Sequence, residues 1–338
     1  MSIRLLALPG DLSLLSGMIV ETFQYPENPE WSVQDDQREQ LVEAIRGLRR
    51  TWPLIRAIQT VSPSLRDILR GFVWDEDGQA VGVVIYSRQG KTQNWYISTV
   101  GVLPGFRRRG IARRLVTRAL EDIRTRRGER TTLGVIEENL PARSLYESLG
   151  FEAYAGTSAY HLLPEDRVKL PAPSLPRGFR SETLRRFDWR SRYNLEKRIA
   201  PDAIRRFEPV TADRFRQPTL MRVLLPVVEF AQKSRDRDFA VYKADGGTIV
   251  ARGGYTLSTS GKGTHSLRVR LDPAHSELAP YLMGRLLFEL NEVDRALRVE
   301  LGVASWMPPV AAEAESLGFR RRLTGLQMGI DLSASRPS

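Results

Sequence analysis

The pentapeptide Glu-Ser-Leu-Gly-Phe occurs twice, at residues 147–151 and 315–319, 168 positions apart. A second anchor agrees with it. An apolar extended stretch ends at Pro104 and again at Pro273, 169 positions apart. A hairpin pattern recurs as well. It reads Phe72–Trp74, Asp75–Gly78, Ala80–Tyr86 in the first half and Phe239–Lys243, Asp245–Gly247, Thr248–Leu257 in the second. Two anchors that agree within one residue argue for duplication. At 338 residues the chain is also too long for most single cores. Pro164, Pro171, Pro173 and Pro176 make a stiff stretch between the copies. The expected division is a first domain over 1–165, a linker over 166–180 and a second domain over 181–334.

Hydrophobic periodicity fills in the first copy. Ile3–Leu8 reads as a strand, and Asp11 can cap a helix running through Leu15 and Ile19. Ser32–Asp35 opens a polar helix to about Arg50, with Leu41, Ile45 and Leu48 on one face. The hairpin follows, with an Asp-Gly turn. Trp95–Leu103 is a further strand, Ile111 to about Arg126 a helix, and Thr131–Ile136 a strand. Pro141–Leu149 is a short helix ended by Gly150, and Phe151–Leu163 supplies the last strands. The fold class is therefore α/β (α+β): a sheet flanked by helices, with a strand–helix–strand crossover in its middle.

Residues 100–116 form the segment with the clearest chemistry. Val100, Val102 and Leu103 are extended; Pro104 and Gly105 break the strand; Gly110 and Ala112 are small residues where a helix begins. Such a loop aims successive backbone N–H groups, at the positive end of a helix dipole, at one spot. Arg107, Arg108 and Arg109 add charge around it. The matching guest is a phosphate or pyrophosphate, and so a nucleotide-like cofactor.

Arg107-x-x-Gly110-x-Ala112 resembles the Arg/Gln-x-x-Gly-x-Gly/Ala signature of the GNAT superfamily of N-acetyltransferases. Residues 139–151, Asn-Leu-Pro-Ala-Arg-Ser-Leu-Tyr-Glu-Ser-Leu-Gly-Phe, are similar to the family's Asn-x-x-Ala-x-x-Leu-Tyr-x-x-x-Gly-Phe segment. The two occur in the family's order and spacing. The resemblance implies two tandem GNAT-like domains, each a mixed, mostly antiparallel sheet flanked by helices. The tandem layout resembles that of the mycothiol synthases, a likeness of architecture that leaves the substrate open.

The resemblance assigns roles. Arg107–Ala112, with Ile111 at the helix start, would wrap the pyrophosphate of acetyl-CoA. The backbones of Val100 and Val102 would pair with the pantetheine arm where their strand splays from the next, and an N–H near Val102 would polarise the thioester carbonyl. Asn139 would bond the same arm; read from the residues alone, it is equally the N-cap of the helix at Pro141. Tyr146 would be the general acid, since a phenol pKa of about 10 lies near that of a departing thiolate. Tyr96 and Ser98 share a face by period two and could line the acceptor cleft. Tyr25, Trp31 and Trp52 suggest an aromatic wall there. No general base stands out: the strand before the loop, Gln93–Val100, carries no acid. Glu137, Glu138 and His161 are the alternatives, beside a water chain or an amine that arrives neutral.

The second copy has lost these groups. At the Pro273 offset, Ser276, Ala279 and Tyr281 stand for Arg107, Gly110 and Ala112; at the Phe319 offset, Met307 and Ala314 stand for Asn139 and Tyr146. Tyr281 should intrude where phosphate must approach the backbone. One working site is expected, in the first domain, beside a degenerate second domain.

Composition excludes other chemistries. There are no cysteines, hence no disulfide, thiolate metal site or cysteine nucleophile. His161, His265 and His275 have no metal-ligand spacing, so no metal is expected. No run of eighteen apolar residues exists, and the expected setting is the cytoplasm, with no membrane partner. Residues 1–170 carry a net charge of +2 and residues 171–338 carry +9. An Arg-rich solvated surface accounts for this excess, and the absence of a clustered aromatic–basic stripe argues against nucleic acid. The leading expectation is acetyl transfer from acetyl-CoA (coenzyme A) to a small-molecule amine or a protein N-terminus. A non-catalytic acyl-CoA-binding protein and a tRNA-dependent aminoacyl transferase are the alternatives from other classes. Oligomeric state is not readable.

Overall fold

The structure, a computed structural model, describes residues 2–25, 27–32, 52, 67, 69–90, 92–185, 187–216, 234–259, 261 and 263–333. The polar helix expected over 32–50 falls almost wholly outside these. The chain forms two compact units: Met1–Tyr154 with Leu326–Ser338, and Ala155–Gly325. The division lies between Tyr154 and Ala155, not in the proline stretch, and the last segment of the chain returns to the first unit.

The first unit begins with β1 (Ser2–Leu5) and α1 (Leu12–Thr22). Asp11 sits just before α1, but its carboxylate accepts from Ala7 N–H at 2.7 Å and from Arg4 at 2.6 Å. The hairpin β2 (Arg70–Glu76) and β3 (Gln79–Arg88) follows. Its turn residues Asp77 and Gly78 both have positive φ, as a tight Asp-Gly turn requires. Then come β4 (Asn94–Val102), α2 (Ile111–Thr125), β5 (Arg130–Ile136) and α3 (Leu140–Glu147). Strands β1 to β4 pair antiparallel in sequence order, and β4 pairs β5 in parallel. The parallel pair with α2 between its strands is the expected crossover.

Helix α2 forms because Ile111, Leu115, Val116, Ala119, Leu120 and Ile123 recur at helical spacing, and all six are buried. Each large member contributes about 1.5–3 kcal/mol by burial. The helix lies tight on β3: a Cβ added at Gly82 would stand 2.9 Å from Ile111 Cγ2. Strand β12 (Arg320–Asp331) completes the unit from Leu326 onward. Met328 and Leu332 are buried in its core, and Leu332 N–H donates to Glu129 O at 2.7 Å.

The second unit repeats this order. Strands β6 (Glu152–Leu162, from Ala155 onward), β7 (Phe179–Thr183), β8 (Ser234–Lys243), β9 (Ile249–Ser258), β10 (Thr264–Leu271) and β11 (Arg298–Ala304) form its sheet. The pairs β7–β8, β8–β9, β9–β10 and β6–β11 are antiparallel, and β10–β11 is parallel. Around it lie α4 (Trp189–Ile199), α5 (Asp202–Phe207), α6 (Ala212–Phe215), α7 (Ala279–Val293) and α8 (Pro308–Ser316). The duplication read from the sequence is thus a duplication of architecture. Gly150 and Gly318, the repeated glycines, carry φ of +91° and +89° after α3 and α8. Among the described residues no helix is long and apolar enough to cross a membrane.

Candidate functional site

The site is built on the end of β4 and the start of α2. Strand β4 carries a bulge: Ile85 faces Thr99 but Tyr86 faces Ile97, so Ser98 is the extra residue. Parallel pairing with β5 ends at Ile97–Leu133. Beyond it the two strands make no further ladder pairs, which leaves a gap in the pairing. Leu103 N–H donates to Val81 O at 2.9 Å on β3. By strand alternation the N–H groups of Val100 and Val102 point the other way, into the gap. Val102 is buried and Val100 half-buried, so their side chains are packing and what they can offer a ligand is their backbone N–H groups.

The loop after β4 runs through a 3₁₀ turn, Pro104–Phe106, to Gly110, the N-cap of α2 at φ +77°. That backbone state costs an L-residue about 1–2 kcal/mol, so glycine belongs there. No side chain caps the helix at Gly110, and nothing lies within 4 Å of where its Cβ would be. Among the described residues the first-turn amides of Ile111 and Ala112 have no acceptor, as expected of an uncapped helix start. This arrangement fits a diphosphate: N–H donors, a positive helix end and room for the group to approach.

The guanidinium groups do not gather on this cradle as the sequence suggests. Arg107 turns back, donating to Val102 O at 3.2 Å and to Thr22 O at 2.9 Å. It fastens the end of α1 to the loop. Arg109 pairs with Glu76 at 3.3 Å, donates to Gly105 O and lies over Phe106. Arg108, exposed at φ +65°, is the member of the triplet left for an anion.

On the other side of the gap, Asn139 Oδ1 accepts from Ala142 N–H at 3.2 Å and caps α3. The same side chain hydrogen-bonds Tyr25, whose ring lies 5.8 Å from the Arg107 guanidinium carbon. Burial raises the Tyr25 phenol; Arg107 and Asn139 oppose the shift. Tyr146 on α3 is buried and packs edge-on against Phe151. Burial pushes its phenol well above the usual value, and nearby Tyr25 adds to this. Arg107, Tyr25, Asn139 and Tyr146 thus form one connected group. Of the expected aromatic wall, Tyr25 and Trp31 meet edge-on at 5.7 Å, and Trp52 is buried. The role of Tyr25 at the centre of the group carries no sequence signal beyond its being aromatic.

The residues expected to line an acceptor cleft, Tyr96 and Ser98, are polar and uncharged. A Cβ on exposed Gly134 would lie 3.6 Å from the Tyr96 hydroxyl and 3.5 Å from the Gln327 amide. Ser98 is exposed at the bulge, its Oγ donating to Ile85 O at 3.4 Å. Gln327 was not foreseen, because it arrives from the other end of the chain on β12. Glu137 is half-buried and Glu138 exposed at the end of β5. His161 lies in the second unit, where burial and Arg298, Arg322 and Arg320 lower its pKa.

In the second unit the corresponding space is not filled by Tyr281 as the sequence suggests: a cavity of about 430 Å³ lies between Ser276–Pro280 and the start of α8, with Glu277 and Glu313 on its lining. Tyr281 is buried in the core beside Phe239, and its hydroxyl accepts from Arg285 at 2.9 Å. Met307, at the N-cap of α8, gives no side-chain cap; Met307 and Ala314 are buried core residues.

Known proteins resemble this chain in the same region. Residues 30–151 match the acetyltransferase (GNAT) family. Mycothiol acetyltransferase of Thermobifida fusca is 35% identical over 108 residues, a match covering 29% of this chain and 29% of that protein. N-alpha-acetyltransferase 30 of Dictyostelium discoideum is 31% identical over 99 residues, covering 29% of this chain and 54% of that protein. The matched part therefore spans about a third and about half of these relatives. Among solved structures, a tandem GNAT protein from the clavulanic acid biosynthesis pathway aligns over 100% of both chains, with a TM-score of 0.63 and 16% identity. A GCN5-related N-acetyltransferase from Sphaerobacter thermophilus aligns over 99% of this chain and 96% of its own, with a TM-score of 0.63 and 17% identity. At such identities the likeness is one of fold.

Proposed function

We propose that this chain, whose residues 30–151 match the acetyltransferase (GNAT) family, transfers an acetyl group from acetyl-CoA to a primary amine by direct attack in a ternary complex. The observation that most supports this is the coincidence of an uncapped helix start at Gly110 with an unpaired β4 edge beyond Ile97. The cofactor supplies an activated carbonyl and a thiolate leaving group. The amides of Gly110, Ile111 and Ala112, with Arg108, hold its diphosphate; Arg107 and Arg109 brace the loop. The N–H groups of Val100 and Val102 hold and polarise what lies along β4. Asn139 orients the same segment and sets the position of α3. Tyr146 gives its phenolic proton to the leaving sulfur; its raised pKa keeps that proton in place across the working pH range. Tyr96, Ser98 and Gln327 receive the amine without a charged partner, so it must arrive neutral or lose its proton to water. The acceptor is a small-molecule amine or a protein N-terminus, and the chain acts in the cytoplasm.

The test follows thioester loss from acetyl-CoA across an amine panel, with Tyr146→Phe alongside. Turnover should fall by about 10²-fold or more, with coenzyme A affinity within about twofold of the parent. Equal turnover in the variant removes Tyr146 as the acid; no turnover with any amine favours a binding protein.

A further inference from the structure

In the first unit one carboxylate closes the space between β2, β3 and the C-terminal half of α2. Asp122 accepts from the Tyr86 hydroxyl at 2.7 Å, from Arg126 at 2.7 Å and from Arg70 at 3.3 Å. Asp67 accepts from Arg70 and Arg126 as well. Arg70 and Tyr86 are cross-strand partners, Phe72 stacks on Tyr86, and Arg118 lies 5.2 Å over Phe72.

The same parts recur in the second unit. Arg237, Phe239, Arg285 and Glu289 stand 167 positions after Arg70, Phe72, Arg118 and Asp122. Tyr255 stands 169 positions after Tyr86 and is the cross-strand partner of Arg237. Arg285 lies 4.0 Å over Phe239. What closed the space is missing. Val293 and Ser234 stand where Arg126 and Asp67 would be. Glu289 turns along its own helix to Arg285 Nε, 2.7 Å away. A cavity of about 610 Å³ remains, within the size range of small-molecule sites. Phe239, Phe288, Leu184 and Val293 give it apolar walls, and Arg237 and Tyr255 also line it. Among the described residues no carboxylate pairs with Arg237, and the Tyr255 hydroxyl has no hydrogen-bond partner.

We propose that this cavity binds a small carboxylate with an apolar body, held by the Arg237 guanidinium and the Tyr255 hydroxyl. This donor pair has a working counterpart in the same molecule: Arg70 and Tyr86 grip a carboxylate that the helix itself supplies. In the second unit the helix withholds its acid, and a ligand takes the place of Asp122. Four acids line the cavity: Glu289 is matched by Arg285, Asp238 by Arg192 and Asp236 by Arg268, and Glu292 stands exposed, where solvent and salt screen it. The aromatic and aliphatic walls take the body of the ligand. Burial raises the Tyr255 phenol, which keeps it a donor.

Calorimetric titration of the full chain with phenylacetate and with octanoate tests this, with phenylacetamide and octanamide as uncharged controls. At least one acid should saturate a single site, and its amide should bind more weakly. Arg237→Gln should weaken the acid about tenfold or more; Arg237 is exposed and unpaired, so the fold should not depend on it. Val293→Arg restores the counterpart of Arg126 and should weaken binding without lowering the melting temperature. No saturation by either acid, or unchanged affinity in Arg237→Gln, overturns the proposal.

Discussion

Two side chains make the chemistry of individual residues measurable. Tyr146 is buried, and its phenol is raised above the usual 10.0. An acid that must be protonated then stays active as pH rises. The kcat profile should therefore show no alkaline fall owed to Tyr146 below about pH 10; a falling limb near neutrality that Tyr146→Phe abolishes would contradict the assignment. His265 is fully buried, its Nδ1 accepting from Ser258 N–H at 3.2 Å and its Nε2 paired with Asp294 at 3.2 Å. Burial lowers its pKa from 6.5, against the pull of Asp294. A depressed value means stability that is present above pH 6.5 and lost as pH falls through the folded-state pKa. Melting temperature should drop over that window, and His265→Gln should flatten the drop; an unchanged slope speaks against it. At this scale the sequence was a partial guide. It located the loop, but the run of three arginines says nothing about direction. Arg107 is drawn to the carbonyls of Val102 and Thr22, and the Thr22 contact joins residues 85 positions apart.

Elements were the most legible level, because periodicity is a local property. The α2 heptad-like spacing, the Asp-Gly turn and Gly150 each act within a few residues, and the observed bounds of α2 and of β2 to β5 follow them closely. The bulge at Ser98 was not legible, since it is set by pairing with β3. Asp122 shows how elements are joined: it ties α2 to Arg70 on β2 and Tyr86 on β3. Burial pushes its carboxyl up, but hydrogen bonds from Arg126 and Tyr86 and the charge of Arg70 bring it below the usual value. Its contribution is therefore present above pH 3.8 and lost as pH falls further. Asp122→Asn should cost about 2 kcal/mol in urea unfolding at neutral pH. A change within about 0.5 kcal/mol would mean that the cluster is surface decoration.

For the whole molecule, duplication was readable and the exchange of the final segment was not. Residues 326–332 belong with a sheet laid down some two hundred positions earlier, and no local pattern marks such a partner. The consequence is a prediction. A chain ending at Gly325 lacks Met328 and Leu332, both buried in the first core. It should lose about 4 kcal/mol or more of first-unit stability; an unchanged melting profile would contradict the division into units. The basic second half is less of an anion trap than its charge suggests, because Arg192, Arg198, Arg268 and Arg270 already pair with Asp238, Asp272, Asp236 and Glu196. One titration bears most directly on the central claim that the amides at Gly110 form the cofactor cradle. Coenzyme A added to the full chain should bind with one equivalent per chain, and Gly110→Trp, which places an indole in the open space over those amides, should abolish it. Two equivalents, or full binding by the variant, would contradict the account.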